Sequence, residues 1–358
     1  MSNTIYFTPG PSQLYFSVEQ HLKNAMREDI PSISHRSSQF SHIFSETTSY
    51  IKSLLGLSDQ YHIFFTSSAT EVWERISQNL IEKHSYHFVN GSFADKFTQI
   101  ARQNKLNVTI NNPGFGKPFE LTEISKENEL ISVTYNETSA GFQFDNTHLE
   151  QLRKKYPQAL IALDVVSVAP AVPIDFNLVD TAYLSVQKCF GLPSGLGVWI
   201  VNRRALDKAA NLTTQYQGSY HSLTSLLTSS KKNQTPETPN VLGIYLLGKV
   251  AHDMLQKGKE MMHRDTAYKS ALLYQAVEEN PNLSPFIQSS INRSKTVCIA
   301  KVKGKNHWLL QQFEKMGFIL GEGYGEYKND HIRIANFPTH SKEQVEYLSD
   351  LLKACRPN

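Results

Sequence analysis

Several features that would narrow the possibilities are scarce in this sequence. Its 358 residues include only three cysteines, Cys189, Cys298 and Cys355, whose spacing fits neither a disulfide framework nor a zinc pattern. No segment approaches the ~18 consecutive apolar residues that a membrane-spanning helix needs. The first ten residues lack the basic start and apolar run of a secretory signal. These absences predict a cytoplasmic protein with no membrane partner and no metal.

The sequence also lacks a marked excess of either positive or negative charge. The chain has 36 Lys and Arg against 33 Asp and Glu, a formal net charge of +3. Such an even balance indicates no nucleic acid or other polyanion as a partner. Charged residues make up 19% of the chain and hydrophobic residues 40%, which argues against disorder and favours one large core with a second, smaller lobe.

Short apolar segments alternate with helix-like segments in the first 200 residues. Continuous apolar runs are typical of strands covered on both faces, so the alternation predicts an α/β sheet with helices on both sides. Ligands bind beyond the carboxyl ends of the strands in such sheets. The predicted strands are 62–66, 86–90, 130–135, 160–164, 182–186 and 198–201, and the predicted helices include 69–83 and 92–104.

The second half of the chain is organised differently. Residues 219–240 are rich in Ser, Thr, Asn and Pro, which predicts a long loop. A smaller α+β unit is expected towards the end of the chain. A helix is expected over 241–257, where it could bridge two lobes, and the small unit from about 266 onward is expected to hold a helix near 267–279, strands near 296–302 and 331–335, and a capped helix over 341–354.

The segment Ser185–Gly197 carries the strongest chemical signal. An apolar strand runs into Gln187 and Lys188, then into a turn rich in Gly and Pro, then into another apolar strand. A lysine at the end of a buried strand loses hydration, which disfavours its charged form and suits it to forming an imine. The alternative is a lysine whose stem reaches along the surface to solvent.

Asp164 ends another apolar strand, 160–164. A carboxylate there would lie at the same edge of the sheet as Lys188, where it can keep the nitrogen of a pyridine ring protonated. The alternative is an aspartate that starts a turn.

Three small residues, Ser68, Ala69 and Thr70, follow the strand 62–66 and open a helix. The N-terminus of a helix favours a phosphate group, because its N–H groups are unpaired and its dipole is positive there. A capping box formed by Ser68 and Glu71 explains the same residues without a ligand.

Aromatic and cationic candidates complete the set. Phe93 follows the strand 86–90, where it could stack on a ring or simply belong to the core. Thr138 follows the strand 130–135. Arg36 and Arg333 are candidates for binding a carboxylate through their planar guanidinium groups, with a surface ion pair as the alternative.

With these motifs in this order, the sequence resembles the class V aminotransferases, which are fold-type I enzymes that use pyridoxal phosphate (PLP). Within that class it is most similar to the phosphoserine aminotransferases. The resemblance runs nearly end to end. It implies a mostly parallel central sheet with helices on both faces, a smaller α+β C-terminal domain and a homodimer. The matching segments are 7–11 (FTPGP), 34–36 (SHR), 136–138 (NET), 164 (D), 173–175 (PID), 187–188 (QK), 235–239 (TPETP) and 332–338 (IRIANFP).

The resemblance also implies roles for single residues. Lys188 would be the Schiff-base lysine and proton carrier, and Asp164 would pair with the pyridine nitrogen. Phe93 would stack on the ring and Thr138 would reach its hydroxyl group. Arg333 would hold the substrate α-carboxylate. The cofactor phosphate would be bound by Ser68, Ala69, Thr70 and Gln187.

Other contacts would cross the subunit interface, so that the active site lies between two chains. Glu237 and Thr238 would approach the cofactor phosphate of the partner, and His35 and Arg36 the distal group of its substrate. The expected domains are a large PLP-binding domain, 16–257, and a small domain formed by 258–358 with the arm 1–15.

The implied reaction converts 3-phosphoserine and 2-oxoglutarate to 3-phosphohydroxypyruvate and glutamate, a step of serine biosynthesis. Two residues depart from this pattern, since Thr70 stands where many relatives have a phosphate-binding arginine and Glu237 where an asparagine is usual. Lys231 or Lys232 are candidates for the missing charge.

Four other functions are weighed against this one. An alanine–glyoxylate or serine–pyruvate aminotransferase would share most elements, including Gly323-Tyr324-Gly325. A cysteine desulfurase would need a cysteine on a mobile loop, and a nicotinamide dehydrogenase a third glycine in its phosphate-binding turn. A non-catalytic binding protein that retains the fold is the remaining alternative.

Overall fold

The computed structural model describes residues 4–212 and 222–357, and fourteen strands and eleven α-helices lie within these ranges. The strands are β1 Ile5–Phe7, β2 Tyr61–Thr66, β3 His84–Phe88, β4 Asn107–Asn111, β5 Leu130–Thr134, β6 Asn136–Glu137, β7 Phe142–Gln143, β8 Leu160–Asp164, β9 Thr181–Ser185, β10 Gly197–Asn202, β11 Leu283–Pro285, β12 Val297–Val302, β13 Phe318–Glu322 and β14 His331–Ala335.

The helices alternate with the strands in the first part of the chain and then follow one another. They are α1 Val18–Arg27, α2 Ser38–Leu55, α3 Ala69–Asn79, α4 Ser92–Gln103, α5 Asn146–Lys155, α6 Arg203–Asn211, α7 Leu223–Ser230, α8 Val241–Lys257, α9 Lys259–Glu279, α10 His307–Lys315 and α11 Lys342–Ala354. None of the helices in the described ranges is both long and apolar enough to cross a bilayer.

A seven-stranded sheet forms the centre of the molecule. Its strand order is β2-β10-β9-β8-β5-β3-β4, and every pair is parallel except the two pairs that involve β10. The strands β5, β8 and β9 are buried along their whole length, because helices cover both faces of the sheet. This is the α/β architecture with a mostly parallel sheet that the sequence predicts.

A second sheet of five strands brings together the two ends of the chain. Its order is β1-β13-β14-β12-β11, so the N-terminal strand β1 pairs with β13, more than 300 residues later. Helices α9, α10 and α11 contribute to the apolar cluster beside this sheet. The expected domain limits, 16–257 against 1–15 with 258–358, are not tested by these contacts and stay a prediction.

Two predictions about the second half of the chain need correction. The segment 219–240 is predicted as a loop, but residues 223–230 within it form α7, because Ser222 caps the helix and Leu223 and Leu226 are buried. Residues 219–221 lie outside the described residues. The helix predicted near 267–279 begins earlier, at Lys259, directly after Gly258 ends α8. The predicted capping box of α11 is present, formed by Ser341 and Gln344.

Candidate active site

The carboxyl ends of three parallel strands meet at one place in the central sheet. Asp164, the last residue of β8, lies in register with Thr134 of β5 and Tyr183 of β9. Lys188 follows β9 by three residues. A cavity of about 200 Å³ opens here and both Asp164 and Lys188 line it. The remaining lining residues are Gly10, Ala69, Thr70, Trp73, Phe93, Thr134, Asn136, Thr138, Val166, Ser185 and Gln187.

Asp164 is a buried carboxylate with few partners. The N–H of Val166 donates to its Oδ1 at 2.9 Å, and the side chain of Tyr183 also forms a hydrogen bond to it. Burial raises the pKa of Asp164 to about 7, because the loss of water outweighs these bonds and the attraction of Lys188. A cationic group bound in the cavity would favour the ionised carboxylate.

Lys188 is buried beside it, with 8% of its surface exposed. Burial first, and the positive charge of Arg333 second, lower the pKa of Lys188 to about 8, while Asp164 opposes the shift. Nζ donates a hydrogen bond to the carbonyl oxygen of Pro9 at 2.5 Å. The amine is therefore close to the point at which it becomes a neutral nucleophile near pH 8.

Gly10 leaves room for this lysine. Its φ of +124° lies in a region that favours glycine, and a Cβ built on it would lie 2.5 Å from Cε of Lys188. The N-terminal segment thus forms one wall of the cavity.

Aromatic rings form another wall. Nζ of Lys188 lies 5.6 Å from the centre of the Phe93 ring, and that ring lies 5.5 Å from the ring of Tyr324 in a tilted arrangement. Nζ of Lys96 lies 5.5 Å from the centre of the same Phe93 ring and donates to the hydroxyl of Tyr324 at 2.9 Å. Tyr324 therefore connects the ring nearest Lys188 with the five-stranded sheet.

Arg333 approaches from that second sheet. Its Nε donates to the carbonyl of Glu322 at 2.7 Å, and its guanidinium carbon lies 5.3 Å from the centre of the Tyr324 ring. It does not line the 200 Å³ cavity, but its charge is the second cause of the lowered pKa of Lys188. The site thus has a cationic side formed by Arg333 and Lys96.

Thr138 belongs to a buried network of hydroxyl and amide groups. Its Oγ1 donates to Oγ of Ser167 at 2.8 Å, and that hydroxyl donates in turn to the carbonyl of Asn136 at 3.1 Å. Nδ2 of Asn136 donates to the same Ser167 oxygen at 2.8 Å. The network fixes the Thr138 hydroxyl at the cavity wall.

The N-terminus of α3 faces the cavity. Ala69 and Thr70 line it, and the N–H of Ala69 donates to Oγ of Ser185 at 2.9 Å. Ser68 caps the helix by accepting from the N–H of Glu71 at 3.2 Å. The capping box weighed from the sequence is only half formed, because the carboxylate of Glu71 binds the N–H and hydroxyl of Ser67 instead.

The residues predicted to act across an interface lie away from the Lys188 cavity of their own chain. Glu237 and Thr238 line a separate cavity of about 270 Å³. Burial, and secondarily the nearby Glu71, raise the pKa of Glu237. Arg36 donates to the carbonyls of Thr235 and Pro236 at 2.8 and 3.0 Å, so the two predicted partner segments lie together.

His35 and the two candidate lysines also lie outside the Lys188 cavity. Burial, and secondarily the charge of Arg36, lower the pKa of His35. Lys231 lies near His62 at the start of β2 and lowers its pKa, whereas the cavity lies beyond the other end of the strand. Lys232 offers its carbonyl to Ser41. Within one chain, Lys231 does not supply the missing charge.

Comparison with known proteins agrees with this geometry. The family model for aminotransferase class-V matches residues 7–323. The chain belongs to the class-V aminotransferase family. A solved phosphoserine aminotransferase from Cytophaga hutchinsonii is 41% identical, with a TM-score of 0.96 over 99% of both chains.

More distant relatives extend over most of the chain. The phosphoserine aminotransferase of Rhodococcus opacus is 26% identical over 331 residues, 88% of this chain and 86% of the relative. That of Corynebacterium glutamicum is 27% identical over 338 residues, 88% of this chain and 85% of the relative. An aspartate aminotransferase from Thermus thermophilus shares the fold at 21% identity, with a TM-score of 0.84 over 98% of each chain.

Membership of this class-V aminotransferase family makes pyridoxal 5′-phosphate the cofactor, and the cavity fits it. Asp164 is buried, and its ionised form, which Lys188 favours, suits a protonated pyridine nitrogen. Oε1 of Gln187 and Oδ1 of Asn136 are buried and find no hydrogen-bond partner among the described residues. Unpaired buried polar atoms at a cavity wall indicate a polar ligand.

The cysteines of this chain do not support desulfurase chemistry. Cysteine desulfurase chemistry needs a reactive thiolate, but Cys189, Cys298 and Cys355 are all buried. Burial raises the pKa of Cys298 to about 12 and that of Cys189 well above its usual range, so neither thiol ionises readily. No group of three metal-binding side chains occurs within residues 4–212 and 222–357.

Several functional contacts escape the sequence reasoning. Pro9, Ser167, Ser185 and Lys96 all contact a candidate residue through hydrogen bonds or ring contacts. Pro9 and Ser185 lie in segments that the sequence singles out, 7–11 and 185–197, whereas no pattern indicates Ser167 or Lys96.

Proposed function

We propose that this chain transfers the amino group of 3-phosphoserine to 2-oxoglutarate. The observation that carries the proposal is a lysine of lowered pKa beside a buried aspartate in one cavity, with the cations Arg333 and Lys96 next to Tyr324 outside the cavity lining. The curated relatives that share most of the chain support the choice of substrate, because they are named for phosphoserine. The relative of known structure has the same name at 41% identity.

Lys188 would hold the cofactor and carry protons. With its pKa lowered to about 8, roughly a tenth of the amine is neutral at pH 7, far more than for an ordinary lysine, and bond formation to an aldehyde requires that neutral form. The same nitrogen, once displaced by the substrate amine, would take the proton from the substrate Cα and return it. Burial in the cavity keeps water from competing for that proton.

Asp164, Phe93 and Thr138 would orient the cofactor ring. When bound, pyridoxal phosphate supplies the electron sink that makes the Cα proton of an amino acid acidic. Asp164 would keep the ring nitrogen protonated, and Phe93 would pack against the ring. Thr138, whose hydroxyl donates to Ser167, would accept a hydrogen bond from the ring hydroxyl.

The cofactor phosphate would lie at the N-terminus of α3. Backbone N–H groups at a helix start are unpaired and the helix dipole is positive there. The groups of this chain at that position are Ser68, Ala69, Thr70 and Gln187. Glu237 and Thr238 of a second copy would complete the phosphate site, since those of the same chain line another cavity.

The substrate would be held by its two anionic groups. Arg333 would bind the α-carboxylate through its planar guanidinium. Lys96, hydrogen-bonded to Tyr324 on the same side of the site, offers a second cation for the phosphate of 3-phosphoserine. His35 and Arg36 would reach that phosphate from the partner subunit.

These roles imply a homodimer with two active sites at its interface. We place the protein in the cytoplasm and its reaction in serine biosynthesis, where an aminated three-carbon phosphate ester precedes removal of the phosphate.

The assignment of phosphoserine as the substrate can be tested with the purified holoenzyme. Phosphoserine and alanine are compared as amino donors, each with 2-oxoglutarate and with glyoxylate as acceptor, by following the keto acid formed. We expect kcat/KM for phosphoserine with 2-oxoglutarate to exceed that of the other pairs by about 100-fold, the effect of one additional charged contact or two. A preference for alanine with glyoxylate would replace this proposal with the second candidate.

That second candidate is an alanine–glyoxylate or serine–pyruvate aminotransferase. It is favoured by Thr70, which lines the cavity where many phosphoserine enzymes have an arginine, and by Glu237, an acidic residue near a phosphate. The segment Gly323-Tyr324-Gly325 is also shared with those enzymes. The same assay separates the two functions.

A further inference from the structure

Helix α4, which carries Phe93 near its start, lacks a cap of its own. Its N-cap residue is Gly91, which has no side chain to accept the N–H groups of the first turn. These groups belong to Ser92, Phe93 and Ala94, and each needs an acceptor from outside the helix. The position of Phe93 therefore depends on another part of the chain.

That acceptor is a carboxylate more than 40 residues later. Oε2 of Glu137 accepts from the N–H of Ala94 at 3.0 Å and from that of Phe93 at 3.2 Å. The remaining N–H, of Ser92, donates to Oγ of Ser139 at 2.9 Å. Glu137 and Ser139 together replace the cap that Gly91 cannot provide.

The Glu137 carboxylate is itself held in place. Its Oε1 accepts from the N–H of Ser139 at 3.1 Å and from the hydroxyl of Ser139 at 2.6 Å, and the residue has no exposed surface. A Cβ on Gly91 would lie 2.2 Å from Cγ of Glu137, so the carboxylate occupies the space of the missing side chain. Burial raises the pKa of Glu137, whereas these donors lower it.

We propose that Glu137 is the positioning residue that sets the Phe93 ring against the cofactor. It accepts the backbone N–H of Phe93 and lies directly before Thr138 in the chain, so one carboxylate joins two walls of the cavity. Glu137 does not line the cavity; its carboxylate holds Phe93 through the backbone N–H, and its charge also raises the pKa of Asp164. The inference rests on the proposed role of Phe93.

The test is Glu137→Gln, measured as the dissociation constant of pyridoxal phosphate from the holoenzyme. The amide has nearly the shape of the carboxylate, but its NH₂ group must face an N–H donor on one side or the other. We expect the dissociation constant to rise about tenfold and KM to rise more than kcat falls. Ser139→Ala, which removes one donor to Glu137 and the acceptor of Ser92, should cause a smaller change in the same direction.

Glu129→Gln is the matched control. Glu129 precedes β5 just as Glu137 follows it, and its carboxylate likewise accepts backbone N–H groups, those of Glu82, Lys83 and His84. Both variants should lower Tm by similar amounts, whereas only Glu137→Gln should weaken the binding of pyridoxal phosphate. An unchanged dissociation constant in Glu137→Gln, with or without a lower Tm, would overturn the inference.

A double variant separates this inference from the role of Phe93. Phe93→Ala alone should raise the dissociation constant, and adding Glu137→Gln to it should raise the constant no further. If Phe93→Ala has no effect, the proposed role of Phe93 is wrong and the inference falls with it. The other contrary result is that Phe93→Ala weakens cofactor binding and Glu137→Gln weakens that binding again in the Phe93→Ala background. In that case only the inference about Glu137 is wrong.

Discussion

Nζ of Lys188 donates a hydrogen bond to the carbonyl oxygen of Pro9, a residue 179 positions earlier in the chain. This bond holds the amine at the cavity wall by a contact with the N-terminal segment rather than with the central sheet. A carbonyl group is a suitable partner, because it orients the amine without protonating it. The bond must break when the lysine turns towards the cofactor.

Gly10→Ala should disturb Lys188 directly. The new methyl group would lie 2.5 Å from Cε of the lysine, at a φ of +124° that alanine rarely adopts. We expect a fall of more than tenfold in the rate at which the apoenzyme regains its visible absorbance after cofactor is added.

Gly258→Ala is the control for that variant. Gly258 has a φ of +90° and nothing within 4 Å of a built Cβ. Both variants should lose roughly 1 kcal/mol of stability from backbone strain. Equal rates of cofactor uptake in the two variants would show that Gly10 has no special relation to Lys188.

Lys188→Ala should abolish the visible absorbance of the holoenzyme and reduce kcat by at least about 10⁴-fold, because no other amine of the described residues lines the cavity. Absorbance spectra and single-turnover assays measure the two effects. Turnover retained by this variant at the wild-type rate would exclude the proposed chemistry.

Asp164→Asn should have opposite effects with and without cofactor. In the apoenzyme the pKa of Asp164 rises from 3.8 to about 7, so the folded chain holds a proton that the unfolded chain has released within this window. The stability contributed by this group is fully present below about pH 4 and is lost progressively as the pH rises to about 7. The neutral amide avoids that loss, so the apo variant should melt roughly 3 °C above wild type at pH 8 and close to it at about pH 4.

With cofactor bound, the order should reverse at pH 8. The ionised Asp164 then faces a protonated ring nitrogen, and the amide cannot replace that ion pair. The increase in Tm on adding pyridoxal phosphate should therefore be smaller for the variant. Thermal melts at both pH values, with and without cofactor, provide the test, and a larger increase in the variant would contradict the role of Asp164.

Arg333→Lys should raise KM for the amino donor by about 30-fold or more, with a smaller change in kcat. Lysine keeps the charge but cannot form two parallel hydrogen bonds to a carboxylate. Steady-state kinetics with two amino donors should show the same factor for both, since both carry the α-carboxylate. A factor that differs strongly between donors would assign Arg333 to the distal group instead.

Arg36→Ala and Lys188→Ala should complement each other if Arg36 acts across the interface. Each homodimer would be inactive. In an equal mixture refolded together, about half the dimers are hybrids, and one site of each hybrid has both residues intact. Recovery of about a quarter of wild-type activity is expected, whereas no recovery would place Arg36 in the site of its own chain.

The sequence predicts those elements whose signals are local. The apolar runs identify β8 and β14 with their observed ends, and the helical periodicity identifies α8 from Val241 to Lys257. The edge strand β4 is not predicted, because its polar residues Asn107 and Asn111 interrupt the apolar pattern expected of a buried strand. The antiparallel direction of β10 is not predicted either, because an apolar run does not indicate whether a strand is parallel or antiparallel to its neighbours.

The candidate active site likewise combines residues that the sequence pattern predicts with contacts that it does not. The positions of Lys188 and Asp164 at strand ends follow from the pattern, because parallel strands bring their carboxyl ends to one edge. The contact of Lys188 with Pro9 and that of Phe93 with Glu137 depend on packing between distant segments, which no local pattern encodes. The long loop predicted over 219–240 is wrong at 223–230, because Ser and Thr residues suit both loops and short capped helices.

The pairing of β1 with β13 has a consequence for synthesis on the ribosome. The segment before Gly10 emerges first, but its sheet partner begins at Phe318. A nascent chain can thus fold most of the seven-stranded sheet, and expose Lys188 at its edge, long before the wall that holds this amine can be fixed. Stable capture of pyridoxal phosphate should begin only when translation is nearly complete.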